Sequence, residues 1–236
     1  MVPFDVIRLS QTDCYLLKAK DGYLLIDCGN SGDQQAFLKW LHQRGIALAD
    51  IHYLLLTHHH TDHCGLMAFL IAANPQMRVI MSSVCAGYLK TGHHFQHPHE
   101  HYANPVLGLI LKTFFKLNGN VTDCFTPYFC RPGDILIEGD NATLLVELGL
   151  NGTILLTPGH TEDSISIVTD TLAFVGDAAR NILNFTGTPY QPLLLYNLEV
   201  CYSSWNKLHA EGVKTIFPAH GKPFQLEKLF PCSKRT

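Results

Sequence analysis

Ile51–Leu66 read IHYLLLTHHHTDHCGL, an apolar run that gives way abruptly to metal-competent side chains. Ile51–Thr57 has the near-continuous hydrophobicity of a strand buried on both faces. Six residues, His58-His59-His60-Thr61-Asp62-His63, follow at once, and Cys64–Ala73 then resumes as a predicted helix closed by Asn74-Pro75. A strand that ends in potential ligands and feeds a helix places them at its carboxyl end. Open α/β sheets keep their sites there.

On the amino-terminal side, Cys14–Lys20 and Tyr23–Asp27 are apolar runs separated by Asp21-Gly22, a hairpin signal. A turn over Cys28–Gly32 leads to a helix from Asp33 to about Arg44, with Phe37, Leu38 and Leu41 inward and Gly45 as its stop. Val79–Met81 reads as a further strand. On the carboxyl-terminal side the pattern predicts strands at Asp134–Glu138, Ala142–Leu148, Thr153–Thr157, Ser164–Thr169 and Leu172–Gly176. A helix around Leu193–Ala210 and a strand at Thr215–Pro218 follow. Strands in both halves with helices outside predict an α/β (α+β) sandwich, two sheets face to face and covered by helices. With no repeat, low-complexity tract or linker, residues 1–236 are expected to form one domain. An irregular insertion is expected at about 86–131.

Composition narrows the chemistry. Hydrophobic residues make up 47% of the 236, which excludes a disordered chain, and a net charge of −3 offers no broad footprint for nucleic acid or an anionic membrane. No apolar run is long enough to span a bilayer, and no secretory signal is visible at the start. The eight cysteines contain no C-x-x-C pair, so free, buried thiols in a cytoplasmic protein are expected. Histidine is the outlier. Nine of the 14 fall in two windows, 58–63 and 93–101.

In the first window alternate positions give H-x-H-x-D-H: His58, His60, Asp62 and His63. Imidazole and carboxylate suit zinc, with iron or manganese as alternatives. Side chains two apart on an extended loop point the same way, so His58 and His60 can share one ion, while Asp62 and His63 reach a second. Three more strand ends deliver one candidate each: His160 after Thr157-Pro158-Gly159, Asp177 after Gly176, and His220 before Gly221.

H-x-H-x-D-H, T-P-G-H-T, G-D and the final H-G, in this order, resemble the metallo-β-lactamase superfamily over residues 14 to 224. The resemblance implies an αββα fold and two divalent metal ions at the sheet edge. It implies that His58, His60 and His160 hold one ion, that Asp62, His63 and His220 hold the other, and that Asp177 bridges them. Such a pair supports attack of an activated water on a carbonyl or phosphoryl centre, with Asp62 as the catalytic carboxylate.

Departures from individual subfamilies shape the expectation. The commonest metallo-β-lactamases have cysteine where Asp177 stands, and flavodiiron proteins have glutamate where His60 stands. Hydroxyacylglutathione hydrolases share the ligand set but add a helical glutathione-binding region, and only sixteen residues follow His220. N-acyl-homoserine lactonases place a tyrosine where Arg180 stands, which leaves Tyr190 as a substitute. Ribonuclease Z-like members carry a basic arm that has no counterpart here. Persulfide dioxygenases have a shorter gap between D-H and the next histidine than the 97 positions from His63 to His160.

The expected function is therefore hydrolysis of a small ester, thioester or lactone by a cytoplasmic enzyme. The expected partner is a small-molecule substrate, without nucleic acid or membrane, and a homodimer is possible. A mononuclear iron dioxygenase acting on a persulfide and a weakly active ligand-binding regulator are the alternatives. The insertion, with His93, His94, His97, His99 and His101, is expected to cover the pocket without binding metal. Its Leu107, Leu109, Ile110, Phe114 and Phe115 are expected to need burial. Cys64 is read as packing, His59 as supporting or solvent-facing, and Arg180 and Asn181 as possible substrate contacts.

Overall fold

The computed structural model describes residues 2–118 and 124–230, apart from the side chains of 114–118. In chain order the strands are β1 (Phe4–Arg8), β2 (Asp13–Lys18), β3 (Tyr23–Ile26), β4 (Ile51–Leu55), β5 (Arg78–Ser82), β6 (His101–Tyr102) and β7 (Ile135–Ile137). They continue with β8 (Gly152–Leu156), β9 (Ile165–Thr169), β10 (Leu172–Phe174), β11 (Leu194–Leu195), β12 (Thr215–Phe217) and β13 (Phe224–Gln225). The helices are α1 (Gln34–Arg44), α2 (Thr61–Cys64), α3 (Met67–Ala73), α4 (Ser83–Leu89), α5 (Pro105–Asn118), α6 (Leu144–Glu147) and α7 (Leu198–Ala210).

One sheet has the order β1-β2-β3-β4-β5-β7, a second has β13-β12-β10-β9-β8, and β11 pairs with β6 in a small ribbon. Strand alternation sorts the side chains into layers. Leu16, Leu25 and Leu54 point outward onto Phe37, Leu41, Met67 and Leu70 of α1 and α3. Their neighbours Leu17, Leu24, Ile26 and Leu55 point inward onto Ile154, Ile167 and Phe174 of the other sheet. The outer face of that second sheet, with Leu155, Val168, Ala173 and Ile216, is covered by Trp205 and Leu208 of α7. The result is the αββα sandwich expected from the pattern. Each fully buried leucine or isoleucine in these layers contributes about 1.5–3 kcal/mol.

Three local differences have identifiable causes. Ala142–Leu148 holds the short helix α6, not a strand, because Asn141 Oδ1 accepts from the N–H groups of Thr143 and Leu144 and turns the chain ahead of it, and Gly149 (φ 78°) follows its end. The helix expected over Cys64–Ala73 breaks into α2 and α3 at Gly65, which packs against the backbone of Asn30 and Ser31. The insertion is not irregular throughout: α4, β6 and α5 lie in or overlap it, and β6–β11 ties it to the loop after Asp177.

Candidate metal centre

Four strand ends meet at one edge of the sandwich. β4 leads through Leu56 and Thr57 into His58, while β8, β10 and β12 lead to His160, Asp177 and His220. Two glycines make that convergence possible. Gly176 has a positive φ of 52°, and a Cβ there would collide with the Thr57 side chain. Gly159 (φ 136°) lies as closely on Cys201 of α7. Any larger residue would push a ligand-bearing turn out of register.

All seven residues singled out in the sequence come together. His160 Nε2 lies 3.3 Å from His58 Nε2 and 3.2 Å from His60 Nδ1. Nitrogens bound to a tetrahedral zinc at about 2.0–2.1 Å stand roughly 3.3 Å apart, and both distances from His160 match that spacing. In the second triad His220 Nε2 is 3.2 Å from Asp62 Oδ2, and His63 Nε2 is 3.7 Å from the same oxygen. Asp177 stands between the two. Its Oδ1 is 3.2 Å from His220 and 3.5 Å from His63, and its Oδ2 is 3.7 Å from His160. His63 Nε2 and Asp177 Oδ1 are buried with these ion-pair neighbours but no well-formed hydrogen bond, a condition that a shared cation would relieve.

The opposite ring nitrogens are held from behind. Asp27 Oδ2 lies 2.8 Å from His63 Nδ1 and also accepts from Thr57 Oγ1, while Asp27 Oδ1 accepts from Thr57 N. His160 Nδ1 donates to the Leu194 carbonyl and His220 Nδ1 to that of Gln11. Such partners fix the tautomer and aim Nε2 into the centre. The sequence reading passed over Asp27 and also Asp163, which binds His59. Each had a modest signal, an acidic residue at a strand end or three positions after His160.

The triads differ electrostatically. Burial, with neighbouring imidazoles, pushes His58 and His60 well below the ordinary imidazole range, and burial lowers His160 although Asp177 opposes it. These rings are neutral and offer lone pairs. Burial opposes charge on His63 and His220 too, but there Asp62 and Asp177 prevail and raise His220 to about 10. Asp62, despite burial, is lowered to about 2 by His63 and His220. Without metal the second triad is therefore a salt-bridged network that a cation would replace proton for charge.

The remaining candidates fall outside the centre. Cys64 is buried with its Sγ donating to the His59 carbonyl, whereas Cys124 and Cys130 are exposed, contrary to the expectation of buried thiols. Among the described residues Arg180 hydrogen-bonds to no carboxylate. Its guanidinium is buried and donates to the carbonyls of Ile182 and Thr188, bracing that loop. Tyr190 packs its ring on Phe224, 4.5 Å between centroids. Asn181 donates to the Lys222 carbonyl. His59, His60 and His94 also lie within ligand distance of one another. Both nitrogens of His59 are committed elsewhere, to Asp163 and to the Phe95 N–H, so this trio is no third ion site.

This arrangement of sandwich and ligands defines a known class. Residues 7–220 match the family model of the metallo-beta-lactamase superfamily, and the chain belongs to that superfamily. A hydroxyacylglutathione hydrolase of Idiomarina loihiensis is 29% identical over 175 residues, 73% of this chain and 49% of that protein. The chain thus spans about half the length of the curated relative it matches. Among solved structures, an archaeal superfamily member from Sulfolobus tokodaii superposes with a TM-score of 0.66 at 20% identity, covering 97% of this chain and 84% of that one. A family protein from Thermus thermophilus gives 0.66 at 19%, over 96% and 77%. These likenesses show the fold. Among the described residues no helix is long and apolar enough to cross a membrane.

Proposed function

We propose that this protein is a cytoplasmic hydrolase that holds two divalent metal ions, zinc being the ion its donors suit, and cleaves a small ester, thioester or lactone. The observation that carries this reading is Asp177, whose two oxygens face one triad each. His58, His60 and His160 would hold one ion, and Asp62, His63 and His220 the other. When bound, such a pair lowers the pKa of a shared water toward neutrality and polarises the scissile carbonyl.

The chain's own residues supply the orientation. Asp62 is partly exposed at the open side, and the Thr12 hydroxyl steadies its Oδ2 at 3.3 Å. Its ionised carboxylate accepts a hydrogen bond from the attacking water and directs that water at the substrate. The first triad is more deeply buried than Asp62 and His220, so substrate enters from the second-triad side. Resemblance to a hydroxyacylglutathione hydrolase favours a thioester among the three substrate classes.

Metal analysis of the purified protein and a panel of simple esters, acyl thioesters and lactones test this reading together. Two ions per chain with metal-dependent turnover is the expected result. One iron per chain with oxygen consumption on a persulfide would replace it by the dioxygenase alternative.

A further inference from the structure

Between the ligands His58 and His60 stands a histidine that faces away from the metal centre. His59 is fully buried, with Nδ1 3.0 and 3.1 Å from the two carboxylate oxygens of Asp163. Asp163 also accepts from the His59 N–H at 2.9 Å, and its own carbonyl accepts from Ser82 Oγ. On the other side of the ring, His59 Nε2 lies 3.0 Å from the Phe95 N–H. A peptide N–H only donates, so Nε2 accepts and the ring proton sits on Nδ1, directed at Asp163. Asp163, His59 and the Phe95 backbone thus form one continuous link between the ligand loop and the insertion.

Contacts around this link agree with it. Tyr88 lies against His59 (4.7 Å between centroids) and stacks on Phe95 at 4.5 Å and 9°. Its hydroxyl donates to Glu162 at 2.6 Å, and His97 Nε2 approaches the other Glu162 oxygen at 3.5 Å. The neighbour of Phe95, His94, lies on the His60 ring with centroids 3.8 Å apart. Its Nε2 is buried and makes no hydrogen bond, with Glu100 Oε2 facing it at 3.7 Å.

We propose that His59 is a positioning residue that latches the insertion over the first triad, so that His94 and Phe95 form a fixed, specificity-determining wall of the substrate pocket. The wall closes the first-triad side, with His94 packed on His60 and the partly exposed ring of Phe95 at its rim. The ligand loop and the wall then move as one unit. Only the kinetic part of this inference rests on the hydrolytic reading.

The test uses the zinc-loaded full chain. Phe95→Ala keeps the N–H and removes the ring, whereas Phe95→Pro removes the N–H as well. Amide exchange across residues 92–102 should be roughly five- to tenfold faster in Phe95→Pro than in Phe95→Ala, the effect of one lost hydrogen bond. KM for the ester, thioester and lactone panel should rise by a similar factor, with kcat changing less and metal content the same. Nitrogen NMR of the parent protein should show His59 protonated at Nδ1 only, a readout that needs no variant to fold. His59→Gln, whose amide reaches as far as Nε2, should restrain the segment better than His59→Phe. Protonation at Nε2, or equal exchange in the two Phe95 variants, would overturn the latch. Absence of hydrolysis in every protein would instead remove the hydrolytic reading, and exchange and NMR would still decide the latch.

Discussion

Residues 58–63 and 93–101 are both dense in histidine, yet only the first supplies residues to the two candidate triads. In the first, all four histidines are buried. Two of the candidate ligands have Nδ1 beside a group in the folded core, Thr57 for His58 and Asp27 for His63, and aim Nε2 at the centre. In the second, His93, His99 and His101 are exposed, and ring nitrogens are spent on local partners. His97 Nδ1 accepts from the His99 N–H, His101 Nδ1 donates to the His99 carbonyl, and His93 Nδ1 faces Cys124 Sγ. Histidine density does not make a ligand set. Anchoring one ring nitrogen so that the other converges with its neighbours does.

That contrast can be broken most severely at its bridge. Asp177→Asn keeps the shape but removes the negative charge that both triads face, so loss of at least one metal equivalent and a fall in turnover of roughly a hundredfold or more are expected. Elemental analysis and steady-state kinetics would check it, and two tightly held ions would refute the bridging role.

Asp27 tests the anchoring itself. Asp27→Ala leaves all seven candidate ligands in place but frees His63 Nδ1 and two hydrogen-bond donors of Thr57. Metal affinity of the second triad should fall about 10–100-fold, and stability by roughly 3 kcal/mol, as read by metal titration and denaturant unfolding.

Acidity should separate the two triads without a mutation. In the metal-free protein, stability from His220 is fully present below its unfolded value of 6.5 and is lost as pH rises through about 10. Stability from Asp62 is present above 3.8 and is lost as pH falls through about 2. The melting temperature in chelator should therefore decline between pH 6.5 and 10, and His220→Gln should flatten that decline. Metal uptake by the second triad should release protons at neutral pH, whereas uptake by the first should release few. Calorimetry in buffers of different ionisation enthalpy measures both.

The smallest effect belongs to the second histidine segment. Replacing His93, His94, His97, His99 and His101 together by glutamine should leave metal stoichiometry intact and shift KM or substrate range by about three- to tenfold. Loss of one metal equivalent would show that the insertion takes part in ligation, and an unchanged kinetic profile would remove it from the pocket.

Much of this was legible in advance because ligand and strand signals are local. H-x-H-x-D-H, T-P-G-H, G-D and H-G each sit at a strand end, and the period-two pattern of β2, β3 and β4 already separates outward from inward residues. The segment at Ala142–Leu148 is short and apolar, so a buried strand and a short helix look alike until the turn at Asn141 is recognised. The insertion was legible only as a length and a composition. Leu107 is buried as expected, but Leu109 remains 69% exposed, and the side chains of Phe114 and Phe115 lie outside the described residues.

The sequence by itself determined the layered fold and the seven candidate ligands, and its resemblance to the superfamily implied their division into two triads with one shared carboxylate. Strand periodicity and residue chemistry are properties of neighbouring positions, so both survive in one dimension. Only the tertiary structure decided which groups stand behind the ligands and where the insertion lies. Asp27 reaches His63 across 36 positions, and Asp163 reaches His59 across 104. Hydrogen bonds over such separations depend on how the sheets bring strand ends together, and no local pattern records them. For His59 the sequence left a supporting and a solvent-facing role open, and the folded chain buries it and joins the ligand loop through it to Phe95.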